Sequence, residues 1–360
     1  MKILYISNYK KGIGGINAQV DLLYTYLNQE EGTVADIFST KGNPLRRCIA
    51  FFQLLSKARR YDVLHIHACS YWGMVPAVFG VIAGKLWRKL IIITYHGGEA
   101  KEYLAKHVGF VKRWLGRADQ VIVLSGFLKE VFDRYDIPCV VIPNIVVLQP
   151  QQKRTRDIEP KFISIRHLEP LYNIPCILQA YEQVLKVYPD ATLDILGKGS
   201  QREELEAYVE EHQLKGVTFV GQVPNQQIYD YLAKADIMLS APKIDNMPVS
   251  LLEAMNTGLL VISSRVGGVP YIINDGLGFS GAENSAAETT ASSLIASSPH
   301  RLKRPTGLLF ESDNADELAK KMIWALEHPE EVKQIIAQAQ TEVQKYAWEN
   351  VKQQLMKVYE

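Results

Sequence analysis

The chain has 360 residues, of which 47% are hydrophobic and 22% are charged, and its formal net charge is +1. The length suits two domains of ordinary size, the composition is typical of a soluble globular protein, and we expect no nucleic-acid partner. The longest apolar stretch begins at Met74 and is about half the ~20 residues that a membrane-spanning helix needs, and the first residues are typical of a strand rather than an export signal. The four cysteines are widely scattered, which favours reduced thiols in a cytoplasmic protein and does not favour a metal site.

Strands and helices alternate along the whole chain. Apolar strands separated by amphipathic helices are typical of parallel sheets covered on both faces, so each half is predicted to be a Rossmann-like α/β domain. The predicted strands of the first half are residues 2–7, 34–39, 62–67, 90–94, 120–125 and 139–143, and those of the second half are 161–166, 191–196, 217–221, 236–240, 259–264 and 306–310.

The polar segment 148–160 has prolines at both ends and no hydrophobic period, so it is the predicted domain boundary. This boundary gives a first domain at 1–150 and a second at 151–344. The first 150 residues carry a net charge of +8 and the remainder carries −7, as expected of two domains with different partners. Two such domains are expected to face a central cleft at the carboxyl ends of their strands, where ligands bind.

Much of the positive charge lies in the segment 46–60, where Ile49, Phe52 and Leu55 share one helical stripe. A basic amphipathic helix of this kind suits an anionic membrane surface. A helix packed on the core with a solvated basic side accounts for the pattern equally well. Both interpretations stay open at this stage.

A glycine-rich turn follows the first predicted strand, with Gly12, Gly14 and Gly15 before a helix. Its backbone amides can face an anion. The spacing differs from G-x-G-x-x-G, and the second strand closes with Ser39 and Thr40 instead of the acid that an NAD ribose requires. A nicotinamide-dependent dehydrogenase is therefore disfavoured.

Arg166 follows the first strand of the second half. A guanidinium at a strand end can hold a diphosphate through two hydrogen bonds. An ion pair at a domain interface is the alternative for an isolated arginine.

The stretch 245–264 places two acids eight positions apart, Asp245 and Glu253, around a predicted helix that begins near Pro248 and ends at Gly258. The first-turn amides at Val249 and Ser250 can face phosphates, and acids at either end can accept hydroxyl protons. This spacing suits a nucleotide sugar.

Together these motifs resemble the family 4 glycosyltransferases, which are retaining enzymes with the two-domain GT-B fold. The resemblance runs in family order through nearly the whole chain. It includes the glycine pair Gly14 and Gly15, Arg166, the pair Asp245 and Glu253, and segments 62–67, 94–98, 118–125, 142–144, 196–206, 217–223, 266–270 and 306–310.

The resemblance implies roles for further residues. It places His96 at the donor sugar as a catalytic residue beside Asp245, Arg166 and Glu253, and it places the backbone at Gly221 and Val223 against the nucleotide base. It implies that the last helix, about 345–360, packs back on the first domain. His65 and His67 are predicted to be structural, because no third metal ligand stands at a suitable spacing.

Three features depart from the family pattern. Asp245 stands where the family has a glutamate one methylene longer. No lysine follows Arg166 closely, so either Lys198 or Lys243 supplies the second positive charge for the diphosphate or that charge is missing. The Ala- and Ser-rich segment 277–305 is an insertion, which we predict to be a mobile surface loop.

The expected function is transfer of a sugar from a UDP- or GDP-linked donor to a sugar or lipid-linked acceptor, with retention of anomeric configuration. We expect no metal or other cofactor, because the chain has no D-x-D pair and Arg166 with helix amides can neutralise the diphosphate. The expected setting is bacterial cell-surface glycan or glycolipid synthesis in the cytoplasm or at the inner membrane face. Two alternatives are a nucleotide-sugar epimerase of the same fold and a nucleotide-sugar-binding protein without turnover.

Overall fold

The structure is a computed structural model that describes residues 1–11, 15–148, 157–275 and 304–360. Gly14 and nearly all of the predicted insertion at 277–305 lie outside the described residues. The chain divides into two compact units. The first unit contains Met1–Val147, Asp245–Val249 and Lys345–Glu360, and the second contains Leu148–Ile244 and Ser250–Gln344.

The first unit is built on a six-stranded parallel sheet with the strand order β2-β1-β3-β4-β5-β6. Its strands are β1 (Lys2–Ser7), β2 (Val34–Ser39), β3 (Val63–Ala68), β4 (Leu90–Tyr95), β5 (Gln120–Val123) and β6 (Val140–Val141). Its helices are α1 (Gly15–Gln29), α2 (Pro44–Ala58), α3 (Val75–Trp87), α4 (Ala100–Leu115) and α5 (Gly126–Asp133), together with the C-terminal helix Trp348–Tyr359.

The second unit also has a six-stranded parallel sheet, with the order β12-β11-β10-β7-β8-β9. Its strands are β7 (Lys161–Ile165), β8 (Thr192–Leu196), β9 (Val217–Gly221), β10 (Ile237–Ser240), β11 (Leu260–Ser264) and β12 (Leu308–Phe310). Its helices are α6 (Ile174–Leu185), α7 (Arg202–Glu211), α8 (Ile228–Leu232), α9 (Val249–Thr257), α10 (Ala315–Glu327) and α11 (Pro329–Glu342). The C-terminal helix of the first unit, Trp348–Tyr359, is numbered α12.

The predicted fold class is confirmed, because each half forms a parallel sheet flanked by helices. Seven predicted strands are shorter than expected, by one to three residues, and two of these differences have a clear cause. The strand predicted at 120–125 ends at Val123 because Ser125 leaves the sheet to cap α5, where its side chain accepts a hydrogen bond from the Leu128 amide. The strand predicted at 139–143 pairs only at Val140 and Val141, since Pro143 has no amide hydrogen to extend the ladder.

The helix α9 begins and ends as its flanking residues predict. Pro248 precedes its first residue, Val249, and Gly258 follows its last with a φ of +83°. A residue without Cβ adopts this left-handed conformation at low cost, which lets the chain turn directly into β11. The predicted position of Glu253 inside a helix is confirmed.

Each sheet has apolar residues on its faces. The second unit's core includes Phe162, Leu193, Ile237 and Ile262, which are essentially inaccessible to solvent. One core of the first unit contains side chains of β1, α1 and α12 together, and its members include Tyr5, Val20, Trp348, Leu355 and Tyr359. Burial of these side chains from α12 fixes the C-terminal helix to the first sheet.

The segment Asp245–Val249 belongs to the first unit, whereas the sequence placed all of 151–344 in the second. Its hydrogen bonds account for this difference. Ser125 donates to the side-chain oxygen of Asn246, and the Asn144 amide nitrogens donate to the sulfur and carbonyl oxygen of Met247, each at 3.2 Å. All of these partners follow strands β5 and β6 of the first sheet.

The ends of β7, β8 and β9 approach one another closely at Gly197. This glycine has a φ of +142°, and its amide donates to the Gly221 carbonyl at 2.8 Å. A Cβ at Gly197 would lie 1.9 Å from the carbonyl oxygen of Arg166. The backbone that carries Arg166 therefore requires glycine at this neighbouring position.

We predict that Gly197→Ala destabilises the second unit on the order of 3 kcal/mol or more, because the backbone conformation and the clash with the Arg166 carbonyl add together. Gly221→Ala is the matched control, since Gly221 also has a positive φ but a Cβ there would meet nothing within 4 Å. That substitution should cost only about 1 to 2 kcal/mol. Thermal unfolding of both variants measures the difference, and equal losses would contradict the close approach at Gly197.

Candidate active site

Arg166 lies just beyond the carboxyl end of β7 in the second unit. Its Nε and Nη2 atoms donate to the Ser240 hydroxyl, at the end of β10, at 3.2 and 3.3 Å. Its guanidinium carbon also lies 5.5 Å from the ring centre of Tyr172. A stacked and hydrogen-bonded guanidinium has a fixed orientation, which suits recognition of a planar or tetrahedral anion. Sequence reasoning identified Arg166 but missed Ser240, which the pairing of β10 with β7 brings to it, and Tyr172, which follows in the same connection after β7.

Glu253 lies in the middle of α9, and the positive charge of Arg166 acts on it. Burial raises the pKa of the Glu253 carboxyl to about 7, and Arg166 opposes this rise. The group therefore changes its charge near neutral pH, unlike an ordinary glutamate. Arg166 and Glu253 therefore lie within electrostatic range of each other in the second unit.

The first turn of α9 supplies backbone amides and a hydroxyl. Val249 begins the helix and Ser250 follows it. The Ser250 hydroxyl is buried and has no hydrogen-bond partner within the described part of the chain. Helix N-terminal amides with a hydroxyl beside them form a site that favours an anion.

The two predicted lysines differ in their surroundings. The Lys243 ammonium forms an ion pair with Asp313 at 3.1 Å, with both side chains about half exposed. Lys198 is exposed in the loop after β8, and its carbonyl accepts a hydrogen bond from the Leu168 amide. The structure gives Lys243 a partner inside the second unit that the sequence did not predict.

The remaining predicted donor contacts of the second unit lie around the end of β9. Gly221 has a φ of +87°, and a Cβ there would find open space. Val223 follows two residues later and is partly exposed. Both lie on a backbone turn whose groups can contact a ligand without a bulky side chain intervening.

In the first unit, Asp245 stands at the start of the anchored segment 245–249. Its Oδ1 accepts a hydrogen bond from the Asn246 amide at 2.8 Å. The loop after β4 lies alongside, because a Cβ at Gly98 would be 3.8 Å from the Asp245 backbone. His96 begins this loop, and its amide donates to the Ala68 carbonyl at 2.8 Å. The structure therefore places the His96 loop beside Asp245 within one unit.

Burial lowers the pKa of His96 to about 3, so its imidazole is neutral at physiological pH. Its Nε2 lies 2.8 Å from Nδ1 of His67, and the two rings are stacked with centres 5.0 Å apart. Gly15, the described member of the predicted glycine pair, begins α1 and is exposed.

Two features are absent from the described residues. In ranges 1–11, 15–148, 157–275 and 304–360, no three His, Cys, Asp or Glu side chains are grouped so that they could hold a metal ion. Across the same ranges, no helix has both the length and the apolar character needed to cross a bilayer.

Known structures share this architecture. Sucrose-phosphate synthase from Thermosynechococcus elongatus aligns with a TM-score of 0.72 at 19% identity and covers 99% of this chain and 98% of its own. The lipopolysaccharide outer core galactosyltransferase WaaB aligns with a TM-score of 0.67 at 15% identity over 99% of both chains. At these identities the likeness establishes the fold, which is GT-B.

Two family models match the chain in succession. Residues 20–149 match the model for Glycosyltransferase Family 4, and residues 148–301 match the model for Glycosyl transferases group 1. The chain belongs to this family of GT-B glycosyltransferases, and the predicted family membership is confirmed.

Sequence relatives match smaller or larger parts of the chain. The phosphatidylinositol N-acetylglucosaminyltransferase GPI3 subunit of Saccharomyces cerevisiae is 28% identical over 174 residues, which are 44% of this chain and 38% of the relative. Phosphatidyl-myo-inositol mannosyltransferase of Mycolicibacterium smegmatis is 24% identical over 311 residues, which are 83% of this chain and 71% of the relative. The chain spans between 22% and 38% of the length of the eukaryotic phosphatidylinositol N-acetylglucosaminyltransferase proteins that it matches.

We predict that Glu253→Gln changes how stability depends on pH. The folded protein holds a proton on Glu253 up to about pH 7, whereas the unfolded chain releases it near pH 4.5. The free energy of unfolding of the wild type should therefore fall as pH rises through this window, by up to about 3 kcal/mol. The glutamine variant should lack this loss and be the more stable protein at pH 8.

The measurement is denaturant unfolding of both proteins at pH 5 and pH 8. Glu210→Gln, at an exposed position of α7, is the control for removing one negative charge from the same unit. Parallel pH profiles for the wild type and Glu253→Gln would show that Glu253 titrates as an ordinary glutamate.

Proposed function

We propose that this protein is a retaining glycosyltransferase that moves a sugar from a UDP- or GDP-linked donor to an acceptor without a metal ion. The observation that carries the proposal is the oriented guanidinium of Arg166 beside Glu253 at the carboxyl edge of the second sheet. Ligands of α/β proteins bind at this edge. The family membership supplies the reaction class to which this arrangement is assigned.

Arg166 would hold the diphosphate of the donor. Ser240 and Tyr172 fix its guanidinium, so little conformational freedom is lost when an anion binds. The Ser250 hydroxyl and the amides of the first turn of α9 would complete the anion site. Lys198, exposed in the loop after β8, would add positive charge to the anion site. Lys243 forms an ion pair with Asp313 instead.

Glu253 would accept hydrogen bonds from the ribose hydroxyls. A carboxylate can accept two hydroxyl protons at once, which a ribose diol offers. Hydrogen bonds donated by the ribose hydroxyls favour the ionised form of the carboxyl, so ribose binding and deprotonation of Glu253 would support each other. Gly221 and Val223 would contact the base through the backbone.

Asp245 and His96 would contact the transferred sugar. The neutral His96 ring can hydrogen-bond a sugar hydroxyl. Asp245, whose backbone lies beside the loop after β4, can accept a hydrogen bond from another hydroxyl. Front-side attack would let the leaving phosphate accept the proton of the acceptor hydroxyl, which gives retention without a protein nucleophile. Arg166 and the α9 amides would stabilise the charge that develops on that phosphate.

The test is a transfer assay that follows a screen of UDP-, GDP- and ADP-sugars by thermal shift. We expect one nucleotide class to raise the melting temperature, since a ligand at ~100 times its dissociation constant stabilises by ~2.7 kcal/mol. UDP sugars are the first choice, because TarM and pneumococcal GtfA, which share the fold, contain UDP in their crystal structures. The product should keep the anomeric configuration of the donor, and excess EDTA should leave the rate nearly unchanged.

Arg166→Ala should weaken nucleoside diphosphate binding about tenfold to a hundredfold, the loss expected for a charge-assisted hydrogen bond of ~1.5–3 kcal/mol. Arg166→Lys is the matched variant that keeps the charge and loses the planar fork, and it should bind with intermediate affinity. Free sugar and nucleotide released without an acceptor would favour an epimerase. Binding without turnover would favour a non-catalytic protein, and activity restored by Mn²⁺ after EDTA would contradict metal independence.

We also propose that the first unit docks on an anionic membrane surface and that the acceptor is lipid-linked. The yeast and mycobacterial relatives act on phosphatidylinositol-type lipids by their names. In α2 the inward residues are Ala50, Leu54 and Ala58. Ile49 is 50% exposed and Phe52 is 69% exposed, so the solvent side of α2 is apolar as well as basic.

The charged side chains of segment 46–60 are all basic. Arg46, Arg59 and Arg60 are exposed, and none of them forms an ion pair with an acid in the part of the chain that the structure describes. Exposed apolar side chains beside unpaired cations complement anionic headgroups over an apolar interior. This surface is the reason for proposing that the protein works at the cytoplasmic face of the membrane. The proposed process is bacterial glycan or glycolipid synthesis.

We predict that the protein binds vesicles containing anionic lipid and that binding weakens as salt rises, since each surface cation contributes ~1 kcal/mol and is screened. The double substitution Ile49→Ser and Phe52→Ser should reduce sedimentation with these vesicles several-fold. Val187→Ser, at an apolar position of the second unit that is 54% exposed, is the control and should bind normally. Equal binding to neutral and anionic vesicles would rule out the charge contribution.

A further inference from the structure

Four ring side chains pack together in the first unit: Tyr5 on β1, His65 and His67 on β3, and His96 just after β4. The proposed mechanism uses only His96. His65 and His67 are 1% and 3% exposed and stack on each other with ring centres 4.7 Å apart. His67 stacks in turn on His96. Tyr5 packs against both buried histidines, with ring centres 5.1 and 5.6 Å away. Such packing leaves the rings of β3 little freedom to reorient.

The two buried histidines have different hydrogen-bond partners. His65 is satisfied at both ring nitrogens, by the Tyr359 hydroxyl and the Thr94 hydroxyl, each at 2.7 Å. His67 bonds through Nδ1 alone, to Nε2 of His96 at 2.8 Å. Its Nε2 is buried and has no partner among the described residues. His65 therefore completes the core, whereas His67 is directed at His96.

Burial lowers the pKa of His67 well below its ordinary value, and it lowers the pKa of His96 to about 3, so both rings are neutral. One hydrogen atom then lies between Nδ1 of His67 and Nε2 of His96, and it can be covalently bonded to either nitrogen. If it were bonded to Nε2 of His96, the neutral His67 ring would carry its own hydrogen on its buried Nε2, where no acceptor is present in the described chain. A buried N–H donor without an acceptor is rarer and costlier than a bare ring nitrogen.

We propose that His67 is a positioning residue, which donates its Nδ1 hydrogen to Nε2 of His96 and so fixes the tautomer in which His96 carries its own hydrogen on Nδ1. His96 then presents an N–H donor to the ligand in place of a bare nitrogen acceptor. The role in transfer rests on the proposed function, because it needs His96 to contact the donor sugar. The tautomer itself does not depend on any activity.

The chemical consequence is a fixed polarity at the sugar site. An imidazole with a free choice of tautomer can accept from or donate to a hydroxyl. A His96 ring fixed by His67 only donates through Nδ1, so it selects a ligand oxygen that serves as acceptor. Asp245 can only accept when ionised, and the two groups would therefore orient a sugar through opposite hydrogen-bond directions.

The experiment compares three variants of the full chain. His67→Asn places an amide donor near the position of Nδ1 and should keep the hydrogen bond to His96. His67→Phe preserves ring volume without a donor and should release His96 from its fixed tautomer. His65→Phe is the control at the neighbouring buried position, which hydrogen-bonds to Tyr359 and Thr94 and leaves His67 in place.

The first measurement is the tautomer of His96, from the nitrogen chemical shifts of ¹⁵N-histidine-labelled protein without ligand. Wild type, His67→Asn and His65→Phe should show hydrogen on Nδ1 of His96, and His67→Phe should show a shift toward Nε2. The second measurement is transfer kinetics. We expect His67→Phe to lower kcat about tenfold or more with nucleoside diphosphate affinity unchanged, and His67→Asn to restore most of the rate.

The two measurements separate the two ideas. An unchanged His96 tautomer in His67→Phe overturns the positioning role, whatever the kinetics. Equal loss of kcat in His65→Phe and His67→Phe also overturns it, since that loss would come from core packing. If wild-type protein transfers no sugar while the tautomer shifts as expected, the proposed function fails and the His67 to His96 hydrogen bond stands.

Discussion

The chemistry of this protein depends on one constraint, the burial of both faces of two parallel sheets. Side chains within the strands are covered by helices, so polar groups reach a ligand only where a strand ends. Arg166 and Ser240 follow neighbouring strands of the second sheet in space, although they are 74 positions apart in sequence. Ser125 and His96 stand at equivalent ends in the first unit. The site residues are therefore as fixed as the strands that carry them.

Much of the fold could be predicted because the sequence alternates so regularly. Strand positions follow from continuous apolar runs, and the start and end of α9 follow from Pro248 and Gly258. The strand order could not be read from local pattern, since it depends on which sheet edges pair. The grouping of Asp245–Val249 with the first unit depends on tertiary hydrogen bonds, which no local periodicity encodes.

Arg166 was predicted from its place after a strand, Glu253 from its spacing to Asp245 around a helix, and His96 from the family resemblance. Their surroundings were beyond sequence reasoning. The pairing of Lys243 with Asp313 joins segments 70 positions apart, and the raised pKa of Glu253 depends on how α9 is covered. His67 was predicted to be structural together with His65, although it lies nearer the end of the strand, since the sequence does not show their hydrogen-bond partners. The difference appears only when β3 and β4 are paired.

The C-terminal helix α12 has a consequence for the order in which the chain acquires its structure during synthesis. Its residues Trp348, Leu355 and Tyr359 complete the core that contains Tyr5 and Val20, and the Tyr359 hydroxyl lies 3.0 Å from that of Tyr5. The ribosome makes these residues only after the whole of the second unit. The second unit can therefore fold first on the nascent chain, while part of the apolar surface of the N-terminal strands stays uncovered until α12 emerges. The first unit thus begins before the second in the sequence and is completed after it.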